Sequence, residues 1–462
     1  FLIFLLILIL VVSWLPSVND FTKLLQVSNF LITFSIFLLL AFSLNIHTGM
    51  TGLVNFGVIF FVAIGAIIVG VLTASSDVFG YDWPIFPALI VAVVVGGFFG
   101  WLLAYPTARL RTDYFAIITI SLGEILRILL MGEPLLRVGG NASAIGIQSY
   151  PLPLQEWWFC GSETPVSSTG TKYSPLACSA DPEIDSMARK VAELLEVTGI
   201  DLEGRAAPYM LLLSLMGFLS ALVVWKVLDI LFKSPWGRIL RSIREDEEVA
   251  QHHGHDIFTH KARSLALGGA IAALAGAFWA WKLTGFQPSF MSPAKSTFLV
   301  WAAFIIGGAG NNKGMLIGAM IITLTEFLFN VLVAAQGSST LPLADTSSLI
   351  DEKFVWMVTS PFEVSSLLLI ISVTLLFLRK YELSEAFFWF SFIFTVCYFV
   401  FDPRSIELVF PEALGGIKAQ MTYIKLMLIG LLIMLSLKHN PKGLLPEVPY
   451  RPERPNEVAK DE

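Results

Sequence analysis

GRILRSIREDEEVAQHHGHD, residues 237–256, lies between two strongly apolar regions, and small-residue clusters follow it, GGAIAALAGAFWA (268–280) and FIIGGAGNNKGMLIGA (304–319). Charged and His side chains crowded into so short a stretch cannot lie in hydrocarbon. They form a water-facing element that another protein can grip. Glycines at 49, 52, 57 and 65 suggest a broken or closely packed helix, and Gly307–Gly310 a tight backbone turn at a helix boundary.

Composition agrees with a membrane setting. The chain is 55% hydrophobic and 14% charged, with mean hydropathy +0.73, whereas soluble domains carry roughly 25% charged residues. Hydrophobic segments lie near 1–18, 28–48, 52–74, 85–104, 113–131, 208–232, 262–282, 296–310, 314–335, 363–379, 384–401 and 421–437. The expected fold is therefore an all-α polytopic membrane protein with about 10–12 transmembrane helices. The opening FLIFLLILILVVSWL lacks a basic flank and a small-residue cleavage site, so it reads as a first span rather than a signal peptide. A net charge of −6 argues against nucleic acid as a partner.

Orientation follows from Lys and Arg beside the short loops. With the 237–256 run placed inside, the cytoplasmic set takes in Arg109, Arg111, Lys233, Arg238, Arg241, Arg244, Lys261, Arg263, Lys313, Arg379, Lys380, Lys438 and Lys442. Both termini then fall on the cytoplasmic side. The expected division is 1–131, N-terminal helices; 132–207, an extracytoplasmic insertion; 208–335, a core with a coupling loop at 233–261; 336–419, an insertion with two extra hydrophobic segments; and 420–462, a last span and cytoplasmic tail.

The 132–207 segment holds ten acidic and five basic residues. Within it an amphipathic helix is expected, with Asp181 as N-cap, Pro182 in the first turn and Gly199 past the end. Ile184, Met187, Val191 and Leu194 form its apolar stripe. Cys160 and Cys178 share this segment and are expected to form a disulfide, while Cys397 falls in a span as an apolar packing residue.

Chemistry-bearing patterns are sparse. His252, His253 and His255 match no ordinary zinc spacing, and no metal is expected. Neither a Walker-A sequence nor a catalytic triad or carboxylate pair is evident, so no catalytic residues and no cofactor are expected in this chain. Any energy input arrives from another polypeptide. Arg241, Arg244, Glu245, Asp246, Glu247, Glu248, Ala250 and Gly254 are the candidates for receiving it, with Ala250 and Gly254 allowing close approach by the partner. Candidate pathway residues are Asn55, Thr119, Glu124 and Arg127, the last two also satisfying each other as an i,i+3 pair.

Five stretches in order carry a family resemblance: LNIHTGMTGLVNFGVIFFVAIGA (44–66), ARLRTDYFAIITISLGEILRILL (108–130), the 237–280 region, 304–319, and LMLIGLLIMLSLKHNPKGLLPE (426–447). Together they resemble the M-type permease subunit of branched-chain amino acid ABC importers, a family that also includes urea and amide permeases. The chain departs from the family pattern at Leu53 and Val58, where polar Gln and His are common, and keeps Asn55.

The resemblance implies a type II-importer-like permease in the cell (inner) membrane. It implies a second permease subunit, two ATPase subunits carrying ATP and Mg, and an external solute-binding protein, with membrane lipid around them. Substrates would be branched-chain or related small amino acids, or alternatively urea and short amides. A stand-alone secondary transporter is the rival class, and it would need charge couples in broken helices near the midplane. A membrane enzyme would need a catalytic set that these residues do not assemble.

Overall fold

The computed structural model describes residues 19–74, 80–107, 112–132, 147–148, 150–159, 186–202, 204–291, 296–335, 344–359, 361–378, 381–400, 421–445 and 447. The helices are α1 (Asp20–Leu44), α2 (Val58–Thr73), α3 (Ile85–Thr107), α4 (Thr112–Gly132), α5 (Gln155–Phe159), α6 (Met187–Val197), α7 (Tyr209–Lys233) and α8 (Pro235–Glu245). They continue with α9 (Glu247–His252), α10 (Ile257–Leu283), α11 (Thr297–Gly307), α12 (Asn312–Ala335), α13 (Ala344–Thr359), α14 (Pro361–Phe377), α15 (Tyr381–Val400) and α16 (Met421–His439). Two two-residue strands, β1 (Ile147–Gln148) and β2 (Gly285–Phe286), pair antiparallel.

Eleven of the twelve expected hydrophobic segments are helices, and the first, 1–18, lies outside the described residues. Among the described residues, six helical stretches are long and apolar enough to cross a membrane: Asp20–Met50, Ile85–Tyr105, Tyr114–Gly132, Tyr209–Lys233, Ile257–Leu283 and Asn312–Val333. Val58–Thr73, Thr297–Gly307 and Phe362–Phe377 are apolar but shorter. At 1.5 Å per residue, the 11 residues of α11 rise only about 16 Å, half of a ~30 Å hydrocarbon core. Such a helix is too short to cross alone, and its terminal carbonyls need partners from the protein.

The described residues form two compact units, one within 19–325 and 429–447, the other within 326–428. In the first unit α10 is the central helix, packed on α1, α2, α3 and α7. Its small residues explain the closeness. Gly276 faces the Val62 carbonyl and Ala273 faces Gly65, so any side chain at either glycine would run into opposing backbone. Asp256 caps the helix start, accepting from Thr259 N at 3.3 Å, and Thr284 ends it in the left-handed region at φ 51°.

In the second unit α14 and α15 form an antiparallel pair bonded through hydroxyls, with Ser365 Oγ 2.6 Å from Thr395 Oγ1 and Ser372 Oγ 3.2 Å from Ser384 Oγ. Glu326 and Lys425 pair at 2.9 Å with little exposure. α13, which no hydrophobic run announces, places Ile350 beside Phe329 and Ile424.

The insertion at 132–207 differs in detail from expectation. Cys160, Cys178 and Asp181–Asp185 lie outside the described residues, as do Arg109 and Arg111. Described α6 begins at Met187, with Ser186 capping Arg189 N at 3.3 Å, and Gly199 follows its end at φ 92°. Its most buried positions are Ala188 and Ala192, packed near Trp158 and Leu202, whereas Met187 and Leu194 of the expected stripe are exposed. Tyr150 pins the start of the insertion to α2 by donating to Ala66 O at 2.8 Å, and burial pushes its phenol well above the usual range.

Candidate functional site

Helix α1 does not end cleanly. Its continuation Asn45–Met50 widens into a π-type turn, and a non-helical stretch from Gly52 to Asn55 precedes α2. A widened turn leaves backbone groups without their usual partners, and a break in an apolar environment is tolerated only where side chains re-satisfy them. The sequence NIHTGMTGLVN (45–55) supplies these side chains.

Asn45 Nδ2 donates to Asn312 Oδ1 at 3.0 Å, and Asn45 Oδ1 accepts from Gly310 N at 2.9 Å. Asn45 therefore joins the first break to a second one, the Gly308–Asn311 turn between α11 and α12. Gly308 and Gly310 take φ 107° and 81°, which side-chain-bearing residues rarely adopt, and this turn stops α11 short. Thr51 and Ser264 place their hydroxyls 2.6 Å apart and share the Ile46 carbonyl, tying the break to α10.

His47 and Asn55 form the centre of this network, both with 0% exposure. Gly57 N donates to Asn55 Oδ1 at 2.7 Å, which leaves the Asn55 amide nitrogen to donate to His47 Nδ1 at 2.9 Å. His47 Nε2 then carries the hydrogen and faces Leu265 O at 3.3 Å. Both ring nitrogens of His47 thus have a partner. Net hydrogen bonds are worth about 1 kcal/mol each, but orphaning a buried group costs ~1–3 kcal/mol, so the network is rigid chiefly because breaking any one bond is costly.

Beside it, Phe56 stacks on Trp301 of α11, with ring centroids 4.3 Å apart at 18°. The stack is held at its edges: Trp301 Nε1 donates to Asn55 O at 3.2 Å, and Phe56 N donates to Thr119 Oγ1 at 3.2 Å. Both rings are half-buried.

Of the four pathway candidates, the structure thus brings Asn55 and Thr119 to one place, each engaged by the chain's own backbone or side chains. Glu124 and Arg127 lie further along α4, paired on the same helix at 2.7 Å, each about a third exposed.

The charged run is not one helix. Asp246, at φ −156° and ψ 110°, ends α8 and caps α9 by accepting from Val249 N at 3.0 Å. Pro235 starts α8 in a position where no N–H is needed. The two helices fold on each other and on the start of α10 through Ile243, Ala250 and Ile257, so Ala250 is turned inward at 3% exposure. Gly254 carries φ 82° in open space. Glu247 pairs with Lys261 at 2.7 Å, and Glu245 and Glu248 are exposed. Val249, half-exposed amid these charges, is the apolar residue that α9 offers outward.

Arg241 and Arg244 point the other way, toward Glu447 of the C-terminal tail. Arg244 Nη1 lies 2.9 Å from Glu447 Oε2 and also donates to the Gly49 carbonyl at the end of the π turn. Arg241 Nε lies 2.5 Å from Glu447 Oε1, a charge contact whose N–H is not aligned as a hydrogen bond. Burial alone would lower the Arg244 guanidinium, but the carboxylates of Glu245 and Glu447 outweigh it and hold the group above its ordinary value. Sequence reading missed Asn45, His47, Asn312, Phe56, Trp301 and Glu447. A His inside an apolar segment was the available signal; the others needed the fold.

Among the described residues, no cluster of three or more His, Cys, Asp or Glu is arranged to hold a metal. Discontinuous apolar helices with buried polar locks, joined to a pair of charged helices, define an all-α polytopic membrane protein. A family model described as branched-chain amino acid transport system / permease component matches residues 26–350, and the chain belongs to that family. Similar proteins include the high-affinity branched-chain amino acid transport system permease protein LivM of Salmonella typhimurium, 26% identical over 300 residues, or 63% of this chain and 61% of that protein. The probable LivM of Methanocaldococcus jannaschii is 23% identical over 334 residues, 66% of this chain and 81% of that one. The nucleoside ABC transporter permease protein NupC of Lactococcus lactis subsp. cremoris is 32% identical over 124 residues, 27% and 37% of the two chains. The match thus spans less than two thirds of the Salmonella relative. No solved structure matches.

Proposed function

We propose that this chain is the M-type permease subunit of an ATP-driven importer for branched-chain or related small amino acids. It would work with a second permease, two separate ATPase subunits that bind ATP and Mg, and an external solute-binding protein. The observation that carries the reading is the bond from Arg244 to the Gly49 carbonyl, which joins the charged helix α8 to the interrupted helix α1. A protein pushed from outside the bilayer needs such a link, and the names of the LivM relatives supply the substrate class.

In this reading α8 and α9 are the cytoplasmic element that an ATPase grips, with both termini on the same side and the chain in the inner membrane. The exposed acids Glu245 and Glu248 would set register against basic groups more than affinity, and Val249 would supply apolar contact. The pathway would run along the face holding Phe56, Trp301 and Thr119, against the second permease. The acidic insertion at 132–207 would meet the binding protein.

A second reading, a nucleoside as cargo, is favoured by the shorter match to NupC. Urea and short amides remain the other alternative. ATP-dependent uptake by the co-expressed complex against branched-chain amino acids, urea, short amides and nucleosides tests the reading. Uptake of leucine-like substrates with ATP supports it, and uptake confined to nucleosides or urea would replace the substrate class.

A further inference from the structure

Two helix breaks lie within reach of one another, and the tail meets the second directly and the first through Arg244. The last turn of α11 leaves the carbonyls of Ile306 and Gly307 without helical partners. Leu444 N donates to Ile306 O at 2.9 Å, and Leu445 N donates to Gly307 O at 3.0 Å. Tail backbone therefore finishes a helix more than a hundred residues away in sequence. Contact is closest at Gly443, which lies at φ 84° against Gly308, and a side chain at either glycine would push the tail off.

Just beyond these bonds, Glu447 sits between Arg241 and Arg244 of α8, at 2.5 and 2.9 Å. Its carboxylate also lies against Gly310 in the turn before α12. Arg244 completes the circuit by capping the Gly49 carbonyl, where a cation is favoured at a helix C-terminus. One carboxylate thus holds the arginine that touches the first helix break while resting on the second.

We propose that residues 442–445 and Glu447 form a strap that carries movement of α8 to both helix breaks, with Glu447 as its positioning residue. The inference rests on the reading of α8 and α9 as the ATPase-gripped element, and it adds that gripping alone does not couple. Without the strap, α8 would tilt while the turn at Gly308–Asn311 stayed behind. With it, Arg244, Gly49 and Gly310 move as one body.

The test uses the full complex with its ATPase subunits in proteoliposomes, reading co-purified ATPase, ATP hydrolysis, and substrate imported per ATP. Glu447→Gln should keep the ATPase bound and hydrolysing while import per ATP falls at least fivefold. Glu447→Asp should recover part of the loss. Import per ATP equal to the parent in Glu447→Gln would overturn the strap. Loss of bound ATPase in that variant would overturn it too, in favour of a docking role. Should the Glu447→Gln chain fail to fold, Gly443→Ala, which displaces the tail without touching a charge, gives the same readout with the same two outcomes. A parental chain that never retains an ATPase would instead overturn the importer reading itself.

Discussion

Asn45 and Asn312 stand 267 positions apart in sequence and share a hydrogen bond of 3.0 Å between side-chain amides, wholly within the protein. That bond fixes one helix break against the other. The same Asn45 side chain accepts from Gly310 N, so a single residue satisfies groups on both sides of the α11–α12 turn.

Asn45→Ala should lower stability by about 2–4 kcal/mol, because it leaves Asn312 Oδ1 and Gly310 N buried without partners. Thermal unfolding in detergent measures it. Asn45→Asp, which keeps an acceptor for Gly310 N, should fall between parent and alanine. An unchanged midpoint in Asn45→Ala would mean the two breaks are held elsewhere.

Placement of α9 gives two variants with different meanings. Ala250→Arg forces a charged side chain into the contact among Ile243, Ala250 and Ile257, and should unfold the α8–α9 pair while the membrane helices stay folded. Val249→Asp leaves that contact alone and changes only the outward surface. It should cut ATPase co-purification at least tenfold with unaltered thermal stability. Normal ATPase retention in Val249→Asp would move the docking surface off α9.

Glu124 and Arg127 bond along one helix at 2.7 Å and are predicted to act as a structural pair. Reversing both charges together should then preserve more uptake than reversing either alone. Equal and complete loss in all three variants would point to direct contact with the cargo.

Cys160 and Cys178 are predicted to form a disulfide in protein taken from an oxidising compartment, worth on the order of 3 kcal/mol. A non-reducing peptide map should show the two peptides joined. Two free thiols would remove the bridge.

Asp256 caps α10, and its hydrogen bonds from Thr259 hold the carboxyl below its ordinary value. A depressed carboxyl contributes stability that is present above its unfolded pKa and is lost as pH falls through the folded one. The cap should therefore hold at neutral pH and weaken only below about pH 4. Asp256→Asn should flatten the acid side of the thermal midpoint profile; an identical acid profile would remove this role.

Much of this architecture was legible because hydrophobic runs state where helices lie, and eleven described helices fall on expected segments. What was hidden has physical causes. Asp246 splits the charged run because its side chain satisfies Val249 N better as a cap than within a continuous helix, and composition alone does not distinguish the two. The β1–β2 ladder is two residues long, below any periodicity. Glu447 reads as a solvated tail charge until the fold brings Arg241 and Arg244 to it. Asn55, visible as a lone polar residue in an apolar run, turned out to be bonded to His47, whose own significance lay in the same eleven-residue stretch.

The central claim is that this permease moves its cargo only when a separate ATPase grips α8 and α9. Proteoliposomes holding the permease pair should be compared with and without the ATPase subunits, with binding protein and a labelled branched-chain amino acid outside and ATP available to the ATPases. The account predicts accumulation only when both ATPase subunits and hydrolysable ATP are present. Equal accumulation without the ATPase, driven by an ion gradient, would contradict it.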